Sequence, residues 1–348
     1  MQATQAERGT PAQRNVLRGQ DVANRVIPGV GHLISAFIVL GGIAFNIGNI
    51  GGAGLAMNVI FGVPPLIGSL IAAVLIIGIF LLRNAKGVMD SVMQVLGLVM
   101  LCMIGYAMLQ SNPPLLEAMS RSFNPDDPLI LLLPIVTLVG GTVGGYISFS
   151  GGHRLVEAGI TGVENVRLVT RAAVIGIATT GVVRICLFLA ALGVVSQGLS
   201  LDPSNPAASV FSHSMGTIGY KIFGVVLLAA SVSSVIGAAY TSVTFMYSLH
   251  DSIRRHNQRV VIAFIACSTL IYSLVGQPVK VLVVAGTLNA LVLPLALGCI
   301  LLASRKTNIV GDAYRHPTWM LVFGILAMLA TAVGVVMSFN ALLEFWQA

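Results

Sequence analysis

The segment Leu129–Gly152, LILLLPIVTLVGGTVGGYISFSGG, begins as an apolar run and ends with six glycines within thirteen residues. These glycines are Gly140, Gly141, Gly144, Gly145, Gly151 and Gly152. A continuous helix exposed to lipid would lose about 1 kcal/mol of stability at each glycine. The run therefore predicts an unwound segment between two half-helices inside a membrane span, with close helix packing through small residues as the alternative.

Apolar blocks of similar length recur throughout the 348 residues. Hydrophobic residues make up 56% of the chain, charged residues make up 9%, and the mean hydropathy is +0.92. A soluble domain is about one-quarter charged, and a membrane span needs about twenty apolar residues. We predict an all-α membrane protein whose residues 30–348 form one transmembrane domain, with about nine spans near 33–61, 64–82, 89–109, 129–149, 173–195, 218–249, 260–274, 279–302 and 319–339.

Lysine and arginine residues are concentrated in alternate loops. Fifteen of them would lie on one side of the membrane, whereas only Arg121, Lys221 and Lys280 would lie on the other. The positive-inside rule then predicts a cytoplasmic N-terminus, and residues 1–29, which contain no apolar stretch, are interpreted as a cytoplasmic segment. Membrane orientation explains the net charge of +7, so the expected partner is the lipid bilayer and not nucleic acid.

Three polar side chains inside the predicted spans are candidates for a transport pathway. Asn46 and Asn49 are three residues apart and therefore share a helical face. Arg184 lies deep in a span, where an unpaired charge costs at least about 2.5 kcal/mol. The alternatives are helix-to-helix hydrogen bonds for the asparagines and a structural contact with helix carbonyls for the arginine.

The sequence contains no motif that would indicate an enzyme or a bound cofactor. The chain contains neither an H-E-x-x-H nor a G-x-S-x-G motif, and the four cysteines all fall within apolar spans. The twelve acidic residues lie in loops, tails or span ends. We therefore predict no catalytic residues and no cofactor, and any transported cation would be held by carbonyl and amide oxygens.

Several segments together resemble a known family. They are GGIAFNIGNIGGAGLAMNVIFGVP in the first span, GGTVGGYISFSGGHRL in the fourth, NPAASVF with GYKIFGVVLLAASVSSVIGAAYTS in the sixth, and LNALVLPLALG in the eighth. The chain resembles the natural-resistance-associated macrophage protein (NRAMP) family of divalent metal transporters, and in particular a divergent bacterial branch. The resemblance implies a multi-pass protein of the bacterial inner membrane.

The implied fold is the LeuT-like inverted repeat of the APC superfamily. The nine spans would match helices three to eleven of an eleven-helix pattern, so the first two helices, including the broken helix with the D-P-G-N type motif, are expected to be missing. The chain is therefore interpreted as N-terminally incomplete.

The resemblance also implies a site for a divalent metal substrate. Gly141, Gly144, Gly145 and Tyr146 match the family's broken sixth helix, in which Met-Pro-His is replaced here by Gly144-Gly145-Tyr146. Asn289 is the amide nearest to Gly286, which stands where the family has a ligating glutamine. Loss of the thioether removes a preference for softer metals. Two acids of the family's third helix correspond to Asn49 and Gly52.

The function expected from the resemblance is secondary, cation-coupled transport of a divalent metal ion. Asn46, Asn49 and Arg184 are the candidates for the pathway or for coupling. One alternative is symport of a small organic solute on the same fold, with Arg184 as the counter-charge of a carboxylate. A second alternative is an inactive truncated fragment.

Overall fold

The structure of the protein, a computed structural model, describes residues 19–82, 85–143, 151–152, 154–156, 158–248, 251–312 and 314–347. The described helices are α1 (Gly19–Val26), α2 (Val30–Phe61), α3 (Pro65–Leu81), α4 (Ala85–Gln110), α5 (Leu115–Phe123), α6 (Leu132–Val143), α7 (Val166–Ser196), α8 (Pro206–Phe245), α9 (Asp251–Arg255), α10 (Asn257–Val275), α11 (Pro278–Ser304), α12 (Thr307–Val310) and α13 (Thr318–Gln347). These residues contain no β-strand, which confirms the predicted all-α class.

Each predicted span overlaps one of the described helices. Six helical segments are long and apolar enough to cross a membrane, namely Val30–Phe61, Val163–Ser196, Pro206–Phe245, Asn257–Val275, Val279–Ser304 and Thr318–Met337. A bent pair, Gln94–Gln110 with Leu115–Phe123, meets the same criterion, and Pro65–Leu81 and Leu132–Thr142 are shorter apolar helices. The structure therefore agrees with a multi-pass membrane protein, while the number of spans stays a prediction.

The chain divides into two compact units. The first unit is called the α6–α13 unit, after two of its helices that contact each other, and it comprises Met1–Gly41, Leu132–Ala172 and Ala285–Ala348. The second unit is called the α4–α8 unit, again after two helices that contact each other, and it comprises Gly42–Leu131 and Ala173–Val284. The boundaries cut through α2, α7 and α11, so each of these long helices contributes residues to both units.

The core of the α4–α8 unit is built from small and aromatic side chains of its longest helices. Phe211 and Phe223 of α8 stack with their ring centroids 4.8 Å apart, and Val59, Ala107 and Ala190 pack around them. Glycines let the helices approach closely, since a Cβ on Gly224 would lie 2.6 Å from the Val59 side chain. Apolar side chains thus fill the space between α2, α4, α7 and α8 in this unit.

Helix α8 begins and bends for local reasons. The Asn205 side chain accepts a hydrogen bond from the Ala208 backbone N–H, and Pro206 occupies the first helical turn. Gly216 interrupts the helix with φ 64° and ψ −158°, a conformation that strongly favours glycine. After this bend, the Lys221 ammonium donates to the Val59 and Ile60 carbonyls, at 2.7 and 2.8 Å. These carbonyls at the C-terminal end of α2 have no donor within the helix, so the lysine supplies their hydrogen bonds.

Candidate functional site

Helices α6 and α11 of the α6–α13 unit make an unusually close contact at two glycines. A Cβ on Gly140 would overlap the Gly286 carbonyl oxygen and would lie 2.6 Å from the Ala290 backbone nitrogen. A Cβ on Gly286 would in turn lie 2.8 Å from the Thr137 carbonyl oxygen. Because the obstructing atoms belong to the backbone, neither position accepts a side chain without a shift of one helix.

Hydroxyl groups and small apolar side chains surround this contact. The Thr137 and Thr287 hydroxyl oxygens are 2.9 Å apart and share a hydrogen bond. Val136 of α6, Ala290 of α11 and Val335 of α13 form the adjoining buried cluster. The contact is therefore a fixed crossing of two helices with oxygen atoms beside it.

Asn289 supplies a buried acceptor one turn beyond Gly286. Its side chain is fully buried, and Nδ2 donates to the Ala285 carbonyl at 2.9 Å. Its Oδ1 has no hydrogen-bond partner among the described residues. Leaving such an acceptor buried and unpaired costs about 1–3 kcal/mol.

A second acceptor next to Asn289 follows from a proline inside the same helix. Pro294 lies within α11 and has no N–H to donate to the carbonyl four residues earlier, which is that of Ala290. Neighbouring residues thus contribute an amide oxygen that no described residue pairs with and a backbone carbonyl that lacks its helical donor. Neutral oxygens of this kind are ligands that hard divalent cations accept.

The residues predicted for the site on α6 are only partly described. Gly141 is half-buried near the C-terminal end of α6, and a Cβ there would meet nothing within 4 Å. Gly144, Gly145 and Tyr146 lie outside the described residues. The predicted break is corrected at both ends of the glycine run, because Gly140 and Gly141 belong to helix α6 and Gly151 and Gly152 are also helical. The structure therefore places Gly141 beside the Gly140 crossing and Asn289 on the helix that forms the other half of that crossing.

The predicted pathway residues belong to the α4–α8 unit. Asn46 is fully buried, its Nδ2 lies 3.4 Å from the Ser268 hydroxyl oxygen, and its Oδ1 has no partner among the described residues. Asn49 is half-buried one turn further along α2. Arg184 is half-buried within α7 and forms no ion pair with any described acid.

Charged metal ligands are not grouped in the part of the chain that the structure describes. No three histidine, cysteine, aspartate or glutamate side chains come together there as a metal site, and the four cysteines are free. The donors described above are an amide, a hydroxyl pair and backbone carbonyls, and the predicted use of carbonyl and amide oxygens as ligands stays a prediction.

The structure adds contacts that the predicted site did not include, and at Gly140 it shows the close helix packing that the sequence left as the alternative to a helix break. Gly140 and Gly286 act in helix packing, Thr137 and Thr287 contribute the hydroxyl pair, and Pro294 leaves the Ala290 carbonyl without its donor. The proline inside an apolar span was visible in LNALVLPLALG and could have indicated an unpaired carbonyl. The hydroxyl pair joins residues 150 positions apart and has no local sequence signal.

Comparisons with known proteins match a family and two relatives over most of the chain. A family model described as natural resistance-associated macrophage protein-like matches residues 20–341. The "uncharacterized membrane protein YcsG" of Bacillus subtilis is 50% identical over 330 residues, covering 94% of this chain and 81% of that protein. An "uncharacterized membrane protein" of Haemophilus influenzae is 48% identical over 318 residues, covering 91% and 79%.

Solved structures show the same fold at low sequence identity. Two mutants of a manganese transporter from Eremococcus coleocola each share 15% identity with this chain, with TM-scores of 0.66 and 0.67. The likeness covers 95% of this chain in both cases, and 77% and 75% of the two transporter chains. This likeness confirms the predicted transporter fold.

Proposed function

Because the chain belongs to the natural resistance-associated macrophage protein-like family, whose members are transporters and not enzymes, we propose that it moves a divalent metal ion across a membrane. The family match, the similarity in fold to solved manganese transporters, and the chain's own buried oxygens support this proposal. The single observation that carries it is the fully buried Asn289 Oδ1, which has no partner among the described residues.

The metal site is proposed at the crossing of α6 and α11. The Asn289 Oδ1, the Ala290 carbonyl and the Gly141 carbonyl are its ligands from the described residues, and Gly144, Gly145 and Tyr146 complete it. A bound divalent cation would offset the free-energy cost of burying such acceptors, because it replaces the hydrogen bonds that they lack. The carbonyl of Gly141 needs no particular side chain, which is consistent with the open space around that residue.

The donor chemistry favours a hard ion. Neutral oxygens suit Mg²⁺ and Mn²⁺, whereas thiolates and thioethers select softer metals. Neutral ligands leave the charge of the ion uncompensated, so it is expected to keep several of its water molecules while bound. We therefore propose Mn²⁺ or Mg²⁺ as the substrate.

Thermal unfolding of the purified full chain in detergent tests this proposal. A ligand that binds only the folded state raises the unfolding temperature, so Mn²⁺ or Mg²⁺ should raise it roughly with the logarithm of metal concentration above the dissociation constant, while Na⁺ at equal ionic strength should not. Protection by a small carboxylic acid and by neither metal would contradict the proposal.

The second candidate function is symport of a small organic anion, and Arg184 is the observation that favours it. This cation lies inside an apolar helix without an ion pair to any described acid, as a carboxylate-binding residue would. If Arg184→Gln abolished uptake of a carboxylate while the protein still folded, symport of an organic anion would be favoured over metal transport.

Coupling to a second cation is proposed as the driving force. Asn46 and Asn49 lie on one face of α2, and the Asn46 Oδ1 is a buried acceptor that has no partner in the described part of the chain. An inward gradient of protons or Na⁺ across a vesicle membrane should therefore raise metal uptake, and Asn46→Leu should remove that increase. Uptake that ignores both gradients would exclude coupling to these ions.

The proposed location is the cytoplasmic membrane with the N-terminus inside. The support is the charge asymmetry between loops. In a variant whose four cysteines are replaced by serine, Asn124→Cys should react with a membrane-impermeant maleimide on intact cells, whereas Thr307→Cys should react only after the cells are permeabilised. The opposite pattern would reverse the orientation.

A further inference from the structure

The short helix α5 turns away from α4 at a sharp angle. The two helices are separated by four residues, Ser111–Pro114, and their axes meet at 101°. Asn112 adopts a positive φ of 46°, which asparagine accepts more readily than most residues, and Pro113 and Pro114 prevent α4 from continuing. Because a membrane-spanning helix tilts only about 20° on average, a helix at this angle to α4 runs close to the plane of the membrane.

The nine residues of α5 divide into two opposite faces. At 100° per residue, the apolar side chains Leu115, Leu116, Met119 and Phe123 fall within about 100° of the helix circumference. Glu117 and Arg121 lie on the opposite face, where the guanidinium nitrogen is 4.0 Å from the carboxylate oxygen. The helix is therefore strongly amphipathic, although it is too short to cross a bilayer.

Described protein does not cover the apolar face. No residue of α5 is buried, and Leu116 and Phe123 are 88% and 85% exposed. In water, four large apolar side chains in nine residues would be an unfavourable exposed patch. Leu98 and Leu109 of the preceding helix α4 are exposed as well.

We propose that α5 lies flat in the lipid–water interface, with its apolar face among the acyl chains of phospholipid and the Glu117–Arg121 face toward water. Helix α4 exposes large apolar side chains as well, and α4 and α5 together are apolar enough for a bent membrane segment, which makes phospholipid the occupant that these observations favour. Helices of this type bind through buried apolar area together with attraction to anionic lipids.

The charges around α5 exclude the electrostatic part of such binding. Arg121 is the only basic residue in the segment 115–131, and it pairs with both Glu117 and Asp126. Asp127 adds a further negative charge. The helix therefore gains nothing from anionic phospholipid over zwitterionic phospholipid.

Quenching of a single tryptophan tests the proposal in the full chain. Trp319 and Trp346 are replaced by phenylalanine, and Met119→Trp or Phe123→Trp is reconstituted in phosphatidylcholine vesicles brominated on the upper acyl carbons. Both tryptophans should lose most of their fluorescence to the brominated lipid and little to aqueous iodide. Glu117→Trp, the matched control on the opposite face, should show the reverse.

Three outcomes would overturn the proposal. Iodide quenching at positions 119 and 123 would place the face in water. Protection from both quenchers would mean that protein covers it, as in contact with a second copy of the chain. An increase in lipid quenching when phosphatidylglycerol replaces part of the phosphatidylcholine would contradict the charge-independent binding.

Discussion

Replacing Asn289 by leucine is expected to abolish thermal protection by Mn²⁺ or Mg²⁺ without destabilising the metal-free protein. Leucine has nearly the same size and removes a fully buried acceptor that has no partner among the described residues, so the metal-free chain should be up to about 1–3 kcal/mol more stable. At a hundredfold excess of metal over the dissociation constant, the wild-type chain should gain about 2.7 kcal/mol that the variant lacks.

Asn205→Ala is the matched control for this experiment. The Asn205 side chain accepts from the Ala208 N–H at the start of α8, so its removal should cost about 1 kcal/mol of folding stability. The gain in stability from bound metal should remain, because the Asn205 side-chain oxygen already accepts a hydrogen bond and is not expected to bind metal. In a thermal melt, Asn289→Leu should therefore lose the stabilisation by metal, whereas Asn205→Ala should lose stability without metal and keep the stabilisation by metal. A wild-type stabilisation of Asn289→Leu by metal would show that Asn289 is not a ligand.

Gly140→Ala is expected to separate α6 from α11 and to destabilise the protein by about 3 kcal/mol, the upper end of the range for overpacked cores. The added methyl group would overlap the Gly286 carbonyl oxygen, which cannot move without the helix. Chemical or thermal unfolding of the purified variant measures the loss, and a reduced yield of monodisperse protein should accompany it.

Gly141→Ala provides the control from the neighbouring position. No described residue lies within 4 Å of the added atom, so alanine should be accepted and should add as much as about 1 kcal/mol through its higher helix propensity. The increment from metal should persist, because any residue supplies the backbone carbonyl. Equal effects of the two substitutions would mean that the α6–α11 crossing is not as close as described.

The helices could be predicted from the sequence because apolar runs of span length have few alternatives. The ends were less predictable, since they depend on short-range capping. Helix α8 begins at Pro206, twelve residues before the predicted span, because Asn205 and Pro206 start a helical segment that Gly216 then bends. Helix α5 was not predicted, because nine residues are too few for a membrane span.

The candidate site could be predicted only in part. Asn46 was identified because an amide inside an apolar run must find a partner or a ligand, whereas Asn289 was identified only through the family resemblance. The structure finds both oxygens buried and without a partner among the described residues. Gly286 was interpreted only as a lost ligand. The structure shows that it also permits the α6–α11 crossing, a constraint between distant segments that one sequence does not reveal.

The central claim is that the chain carries a divalent metal ion through a site containing Asn289. Its most direct test is uptake of radioactive Mn²⁺ into proteoliposomes, measured for the wild-type chain, Asn289→Leu and Asn205→Ala, with excess Mg²⁺ as a competitor. We predict saturable uptake by the wild type and by Asn205→Ala, and background uptake by Asn289→Leu. Background uptake by the wild type, or equal uptake by all three proteins, would contradict the claim.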